Sequence, residues 1–245
     1  MSLDEATKTL FHGYPKKRVK MLEYFFESFF VILLLVLLLV TLSFIFFPDF
    51  NILTRGFCDL REVREINGES TLISFILFQT AIFLLFFSLL AFFLVLVTFF
   101  QGRKLTRYLS WIGTFFGVAQ CPLNLIIFLE RGTFEFHMIF VITGPLFLNI
   151  AVILYTVIFF IDKRPPKISK YSFLVLSIVA IIFAILEGVA ASVGGTFNAR
   201  FDRLGNTLFQ YFLVASFILQ GIIFFLMSKN AKEKMILINY NNKVI

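Results

Sequence analysis

The sequence predicts an all-α integral membrane protein: a bundle of six transmembrane helices with both termini in the cytosol. The first observation is composition, because 59% of the 245 residues are hydrophobic, 15% are charged and the mean hydropathy is +0.92. A soluble domain of this length needs more polar surface than that. The second is that the apolar residues form runs of the roughly 20 residues that cross a ~30 Å bilayer core as a helix. The third is that the basic residues cluster between alternate runs.

Each apolar run begins and ends at charged or turn-forming residues, which sets the order of the elements. A basic arm, residues 1–23, precedes the first run. This run is too long for a cleavable signal peptide, and no small-residue cleavage site follows it. The second run is long enough to tilt or to extend beyond the bilayer. The predicted spans are 24–47, 72–100, 108–129, 136–161, 173–194 and 206–228. They form one transmembrane domain, 24–228, and a polar tail follows at 229–245.

The distribution of basic residues predicts the orientation. Sixteen of the 22 Lys and Arg lie in the arm, the second and fourth connections and the tail, whereas six Arg lie in the other connections. Short loops rich in Lys and Arg stay on the cytosolic side, and an even number of spans returns the chain to the side where it began. Five residues are assigned to the membrane surface: Lys16, Lys17, Arg18, Lys163 and Arg164.

The net charge of +7 therefore indicates a membrane surface and not a nucleic acid as the partner. Two interpretations of the basic residues remain open: they recruit anionic lipids of the cytosolic leaflet, or they serve topology alone.

The first outer connection, residues 48–71, is the longest soluble segment. Its alternating charges and its "INGES" ending favour a short amphipathic helix capped by Asn67-Gly68, and a solvated loop is the alternative. Cys58 lies in this connection and Cys121 lies inside the third span. Because the two differ in expected depth, we expect neither a disulfide framework nor a metal set.

Polar side chains inside the spans gather in the outer half of the membrane. Glu187 lies about 14 residues, or ~21 Å, from the cytosolic end of the fifth span. Pro122 and Pro145 each remove a backbone hydrogen bond, so we expect them to kink the third and fourth spans. Gln120 and Asn124 are four residues apart and share a helix face. The residues predicted to line a polar recess are Glu187, His137, Asn124, Gln120 and Gln210.

Two roles fit these polar residues. They bind a polar headgroup or a small solute from the outer side, or they hydrogen-bond one another and hold the bundle together. A carboxyl group costs about 3 kcal/mol to insert into a membrane, which favours a functional role for Glu187. For the amide side chains of Asn124, Gln120 and Gln210, the packing role is favoured.

Several chemistries lack their residues in this sequence. With His12 and His137 as its two histidines, the chain has no histidine cluster for zinc and no pair for haem. No Lys lies within a predicted span to form a retinal Schiff base, and no glycine-rich phosphate loop or hydrolase elbow is present. We therefore expect a non-enzymatic protein without a cofactor or metal.

The order of features in the second half resembles the DRAM/Frag-like family of six-span membrane proteins, the damage-regulated autophagy modulators and their uncharacterised prokaryotic relatives. The similar features are "GTFFGVAQCP" in the third span, His137 at the start of the fourth, "AILEG" late in the fifth and "NTLFQYFLVASFIL" in the sixth. They extend over about 108–228. The resemblance implies a non-enzymatic protein linked to lipid organisation, lipid-anchor handling or autophagy. Pro122, His137 and Glu187 match, and the family assigns them no catalytic role.

These features predict a lipid-interacting or scaffolding protein with a polar recess in the outer half of the bundle. Its expected partners are membrane lipids, anionic ones on the cytosolic leaflet, and other membrane proteins. Its expected location is the cell membrane or, in a eukaryote, an endomembrane. Two alternatives stay open: a small-solute or proton-coupled carrier that uses Glu187, and a purely structural membrane subunit.

Overall fold

A computed structural model describes residues 3–50, 60, 63, 65–129, 134–192 and 211–232. Side chains are described in these ranges except at 3, 4, 9, 127–129, 134–142, 183 and 186–192. This part of the chain is almost entirely α-helical. The helices are α1 Leu3–Leu10, α2 Lys16–Ile45, α3 Leu72–Leu96, α4 Lys104–Leu129, α5 Phe134–Ile161, α6 Lys167–Ser192 and α7 Tyr211–Lys232, and a 3-10 helix, Val97–Phe100, continues α3.

Five helical segments among the described residues have the length and apolar composition needed to cross a membrane. They are Lys16–Ile45, Leu72–Phe100, Lys104–Ile126, Thr143–Ile161 and Tyr211–Lys232. They coincide with the predicted first, second, third, fourth and sixth spans, as expected for an integral, multi-pass membrane protein. The predicted fifth span falls on α6, whose last side chains lie outside the described set. A sixth crossing therefore stays a prediction.

Successive long helices run in alternating directions. Tyr14, just before α2, donates a hydrogen bond of 3.0 Å to the Thr98 carbonyl at the end of the 3-10 helix. Arg164, between α5 and α6, donates to the Phe99 carbonyl at 2.9 Å. We call this end of the bundle, where Lys16, Arg103, Lys163 and Lys232 are found, the basic end. At the opposite end the Ser74 hydroxyl of α3 donates to the Ser43 carbonyl of α2 at 2.7 Å.

The core between the helices is built largely from phenylalanine. Phe26 of α2 stacks on Phe224 of α7 with ring centroids 5.0 Å apart, and Phe92 of α3 meets the edge of Phe217 of α7 at 5.4 Å. All four rings are fully buried, and such pairs contribute about 0.5–1.5 kcal/mol each beyond the area they bury. Helix α7 therefore packs against α2 and α3, and the three helices share one core.

The prolines predicted to kink the helices lie inside them. Pro122 is within α4 and Pro145 is within α5, and both helices continue on either side. Neither proline therefore ends a helix, which places them where a proline interrupts the backbone hydrogen-bond ladder. The kink at each of them stays a prediction.

The prediction of a helix ending at Asn67-Gly68 is wrong for residues 65–70. Strand β1, Glu65–Ile66, pairs antiparallel with β2, Glu69–Ser70. Asn67 and Gly68 form the turn with φ of 53° and 81°. A two-residue hairpin of this type needs positive φ at both central residues, and Asn-Gly is its strongest sequence signal. The same dipeptide can end a helix, but here its turn preference closes a hairpin.

Candidate functional site

The predicted amide pair lies buried on the face of α4 that meets α5. The side-chain amide of Asn124 donates to the side-chain oxygen of Gln120 and to the Gln120 carbonyl, both at 2.8 Å. Gly144 of α5 faces this amide closely, because a Cβ added at Gly144 would lie 2.8 Å from Asn124 Oδ1. The glycine therefore makes room for the amide pair, one residue before Pro145.

Gln120 also has a polar atom that this pair does not use. Its side chain is 0% exposed, and its Nε2 has no hydrogen-bond partner among the described residues. A buried donor without an acceptor carries a desolvation cost of about 1–3 kcal/mol. Gln120 is therefore the described residue at this end of α4 that most needs another polar group beside it.

The structure brings two of the five predicted recess residues together. The side chains of His137 on α5 and Glu187 on α6, and the whole of Gln210, lie outside the described residues. Their participation in the recess therefore stays a prediction. Cys121, next to Gln120, is a buried free thiol.

Polar side chains nearer the basic end of the bundle are engaged in hydrogen bonds between helices. The Gln220 amide of α7 bonds the side chain of Ser169 on α6 and donates to Ser172 Oγ at 3.0 Å. Thr156 of α5 bonds Ser177 of α6 at 2.7 Å. These contacts join α5, α6 and α7, as interhelical polar contacts in membrane proteins do.

A third polar contact joins α4 to α5. The fully buried Tyr155 hydroxyl bonds the Thr114 hydroxyl at 2.7 Å and donates to the Ser110 carbonyl at 3.2 Å. It lies between the amide pair and the basic end of α4. The half of the α4–α5 interface nearer the basic end is therefore closed by packing and hydrogen bonds.

At the basic end, the residues assigned to the membrane surface separate into two groups. Lys16, Lys17, Arg18 and Lys163 are exposed, as a surface role requires. Arg164 instead forms a two-pronged ion pair with Asp162, its shortest contact being 2.7 Å. Arg18 lies 4.4 Å from the ring centre of Tyr14, in cation–π geometry.

Arg164 lowers the pKa of its carboxylate partner, Asp162. Burial alone would raise the pKa of Asp162, but hydrogen bonds and charge from Arg164 outweigh it and hold that pKa below its ordinary value. Asp162 is therefore a permanent partner of Arg164 at neutral pH. Its carboxylate oxygens are hydrogen-bonded to that arginine, and its charge also raises the pKa of Lys170 against the effect of burial.

One buried ion pair was missed by the sequence-based prediction. Glu23 of α2 is 7% exposed and lies 2.7 Å from the Lys232 ammonium of α7. Glu23 falls in the predicted basic arm and Lys232 in the predicted tail, so neither was expected to be inside the bundle. Helix α7 extends farther than the predicted span, which brings the two charges together. No local signal in the sequence marks this pair.

Two cavities of several hundred Å³ lie on the outside of the bundle. A groove of about 350 Å³ between α2 and α3 is lined by aromatic and aliphatic side chains with two serines, Ser28 and Ser88. A recess of about 590 Å³ lies at the basic end beside the start of α6 and contains Lys163, Lys167 and Lys170. Among the described residues no group of three His, Cys, Asp or Glu side chains is placed to hold a metal ion.

Comparison of the chain with protein-family models, with curated proteins and with solved structures finds no match.

Proposed function

We propose that this chain is a non-enzymatic membrane protein of six spans, with both termini cytosolic, that binds the polar headgroup of a lipid in the outer half of its bundle. A partner membrane helix presenting a polar group is a second occupant of the same recess. The resemblance of 108–228 to the DRAM/Frag-like family supports a lipid-related, non-catalytic role. In this orientation the basic end of the bundle faces the cytosol.

The observation that carries the proposal is the buried Gln120 amide. Its Nε2 has no acceptor among the described residues, although its Oε1 and backbone carbonyl both accept from Asn124. Lipid headgroups carry phosphate and ester oxygens, which are acceptors for such a donor. The arrangement favours a polar ligand held beside α4 and α5.

The groove between α2 and α3 supports lipid contact from a second direction. It opens at the side of the bundle, and Phe83 and Phe87 on its rim are exposed. A groove of this shape accommodates an acyl chain and not a water-borne solute, because it is lined mostly by apolar atoms. Its position nearer the basic end differs from the outer position expected for a lipid site from sequence.

The carrier alternative receives less support from the described residues. A carrier that uses Glu187 needs a path onward past Asn149 and Gln220. Both of these residues are buried, and the Gln220 amide is already bonded to Ser169 and Ser172. Opening such a path would break these contacts between α6 and α7. The structural-subunit alternative explains the Asn124–Gln120 bond but leaves the Gln120 donor unexplained.

Native mass spectrometry of the gently purified protein tests the proposal. We expect the wild type to retain a lipid, and Gln120→Met and Glu187→Gln each to lose it. Gln101→Met is the matched control, because Gln101 bonds only a local carbonyl at the other end of the bundle. An empty wild-type protein, or equal retention by all four proteins, would contradict a headgroup site at Gln120 and leave packing as the role of the amides.

A further inference from the structure

The recess at the basic end is lined by three lysines and two aromatic side chains. Lys163 lies in the α5–α6 connection, and Lys167 and Lys170 occupy the first turn of α6. The rest of the lining consists of Phe160, Tyr171, Pro165 and Glu5 of α1. The volume, about 590 Å³, is ample for a phosphate-bearing headgroup.

The positive charge of this recess is only partly compensated by the nearest acids. In the described part of the chain neither Lys163 nor Lys167 forms an ion pair. The Asp162 carboxylate is held by Arg164, and Lys170 reaches only the Asp162 main-chain carbonyl, at 3.0 Å. Three lysines therefore face one carboxylate, that of Glu5, and the lining keeps an excess of positive charge.

The lysines also repel one another. Burial lowers the pKa of Lys170, and the charge of Lys163 lowers it further, against the opposing effect of Asp162. Lys170 precedes the predicted fifth span, so its ammonium lies at the membrane boundary. An anion placed between these lysines relieves the repulsion and stabilises their charged forms.

The surface that leads away from the recess is apolar and exposed. On α6 the exposed residues recur at helical spacing, at Ile168, Tyr171, Val175 and Ile178. On α5 Phe160 is 47% exposed, and its ring meets that of Tyr171 edge-on at 6.2 Å. A stripe of this kind faces acyl chains in a bilayer, and aromatic residues at its end are typical of the membrane interface. A lipid can thus place its headgroup in the recess and a chain along the stripe.

We propose that Lys163, Lys167 and Lys170 form a binding site for the phosphate headgroup of an anionic lipid in the leaflet at the basic end. Charge complementarity selects phosphate, as in basic pockets between membrane helices that bind anionic headgroups. The adjoining apolar stripe selects a lipid over a free anion. This inference rests on the proposed membrane function of the chain but not on the recess at Gln120, which lies toward the other end of α4.

The test measures which lipids the full-length protein enriches from mixed nanodiscs of phosphatidic acid and phosphatidylcholine. We expect the wild type to enrich phosphatidic acid, and Lys163→Gln/Lys167→Gln/Lys170→Gln to reduce this enrichment at least tenfold. The matched control is Lys16→Gln/Lys17→Gln/Lys20→Gln, which removes the same charge from exposed positions outside the recess. We expect it to stay within twofold of the wild type.

Two further measurements keep the outcome clear. Lys163→Gln/Lys167→Gln changes exposed side chains and keeps the Lys170–Asp162 contact, so it should fold normally and still lose most of the enrichment. Glycerol 3-phosphate in solution should not compete at millimolar concentration, because it lacks the chains that the stripe contacts. Effective competition by it, equal losses in the recess and arm variants, or no enrichment by the wild type would overturn the proposal.

The experiment also separates this site from the one at Gln120. Gln120→Met should leave the enrichment of phosphatidic acid unchanged. If the recess variants keep the enrichment while Gln120→Met loses its retained lipid, the inference about the lysines fails and the proposed function stands. The reverse result would support the lysine site and contradict the outer one.

Discussion

Replacement of Gly117 by alanine is expected to disrupt the contact between α3 and α4. A Cβ at this position would lie 2.8 Å from Phe93 Cδ1 and closer still to two other atoms of the same ring. The Phe93 ring is fully buried and is packed against Phe92, Tyr155 and Phe217, with centroids 5.6 to 6.0 Å away. The ring has no free space to enter, so the two helices must separate.

The magnitude follows from two opposing effects. Overfilling a packed core costs about 1–3 kcal/mol, and we expect the upper part of that range because a rigid ring is the obstacle. Removing a glycine from a helix returns about 0.5–1 kcal/mol. The net expectation is a loss of about 2 kcal/mol in the free energy of unfolding, or roughly a 30-fold shift in the equilibrium.

Alkylation of Cys121 in mixed micelles of increasing denaturing detergent measures this loss. Cys121 is 2% exposed, so its thiol should react only when the bundle opens, and Cys58→Ser removes the other thiol. Gly102→Ala is the control, because nothing lies within 4 Å of its added Cβ. Gly113→Ala should be intermediate, since its Cβ would approach the Tyr155 ring at 3.1 Å.

The Gly117 prediction fails if Gly117→Ala opens at the same detergent fraction as Gly102→Ala. A second check is the double variant Gly117→Ala/Phe93→Leu, in which the smaller side chain yields space. It should recover at least half of the loss caused by Gly117→Ala alone. A double variant less stable than either single one would show that the ring is not the obstacle.

Three other perturbations address the contacts described above. Glu23→Gln should destabilise the protein by about 1–2 kcal/mol, less than a fully buried pair because Lys232 is partly exposed; a double-mutant cycle with Lys232→Gln that finds no coupling would contradict this. Tyr155→Phe should cost about 1 kcal/mol in detergent unfolding, because it removes a hydroxyl bonded to two groups, and an unchanged midpoint would count against that network. The pKa of Asp162 is lowered in the folded protein. Its contribution to the free energy of unfolding is therefore present above pH ~4 and is lost as the pH falls through the folded pKa. Unfolding measured from pH 7 to pH 3 should show this loss in the wild type and not in Asp162→Asn.

Local features of the sequence were sufficient to locate the five long apolar helical segments among the described residues, but not α1. Helix α3 begins at Leu72 and α5 ends at Ile161, the predicted limits of the second and fourth spans. Helix α2 begins at Lys16, eight residues before the predicted first span, because hydropathy detects the membrane crossing and not the helical turns that precede it. Asn67-Gly68 shows where a local signal is ambiguous, since the same dipeptide is compatible with a helix end and with a hairpin turn.

The sequence identified only part of the candidate site. The spacing of Gln120 and Asn124 correctly indicated a shared face, and the structure adds their hydrogen bond and the buried donor of Gln120. The inclusion of His137, Glu187 and Gln210 remains a prediction. The basic recess was beyond the reach of pattern analysis, because a count of charges does not show which lysines are already neutralised.

By itself, then, the sequence determined which long segments are apolar enough to enter a membrane as helices, and which connections are basic. Each of these depends on composition over about 20 residues and on the fixed thickness of a bilayer. The tertiary structure decided that Glu23 forms an ion pair with Lys232, that the Phe93 ring packs directly against Gly117, and that Arg164 forms an ion pair with Asp162. These contacts depend on the rotation and depth of each helix relative to its neighbours. Those variables are set by close packing among many side chains, so no short stretch of the chain records them.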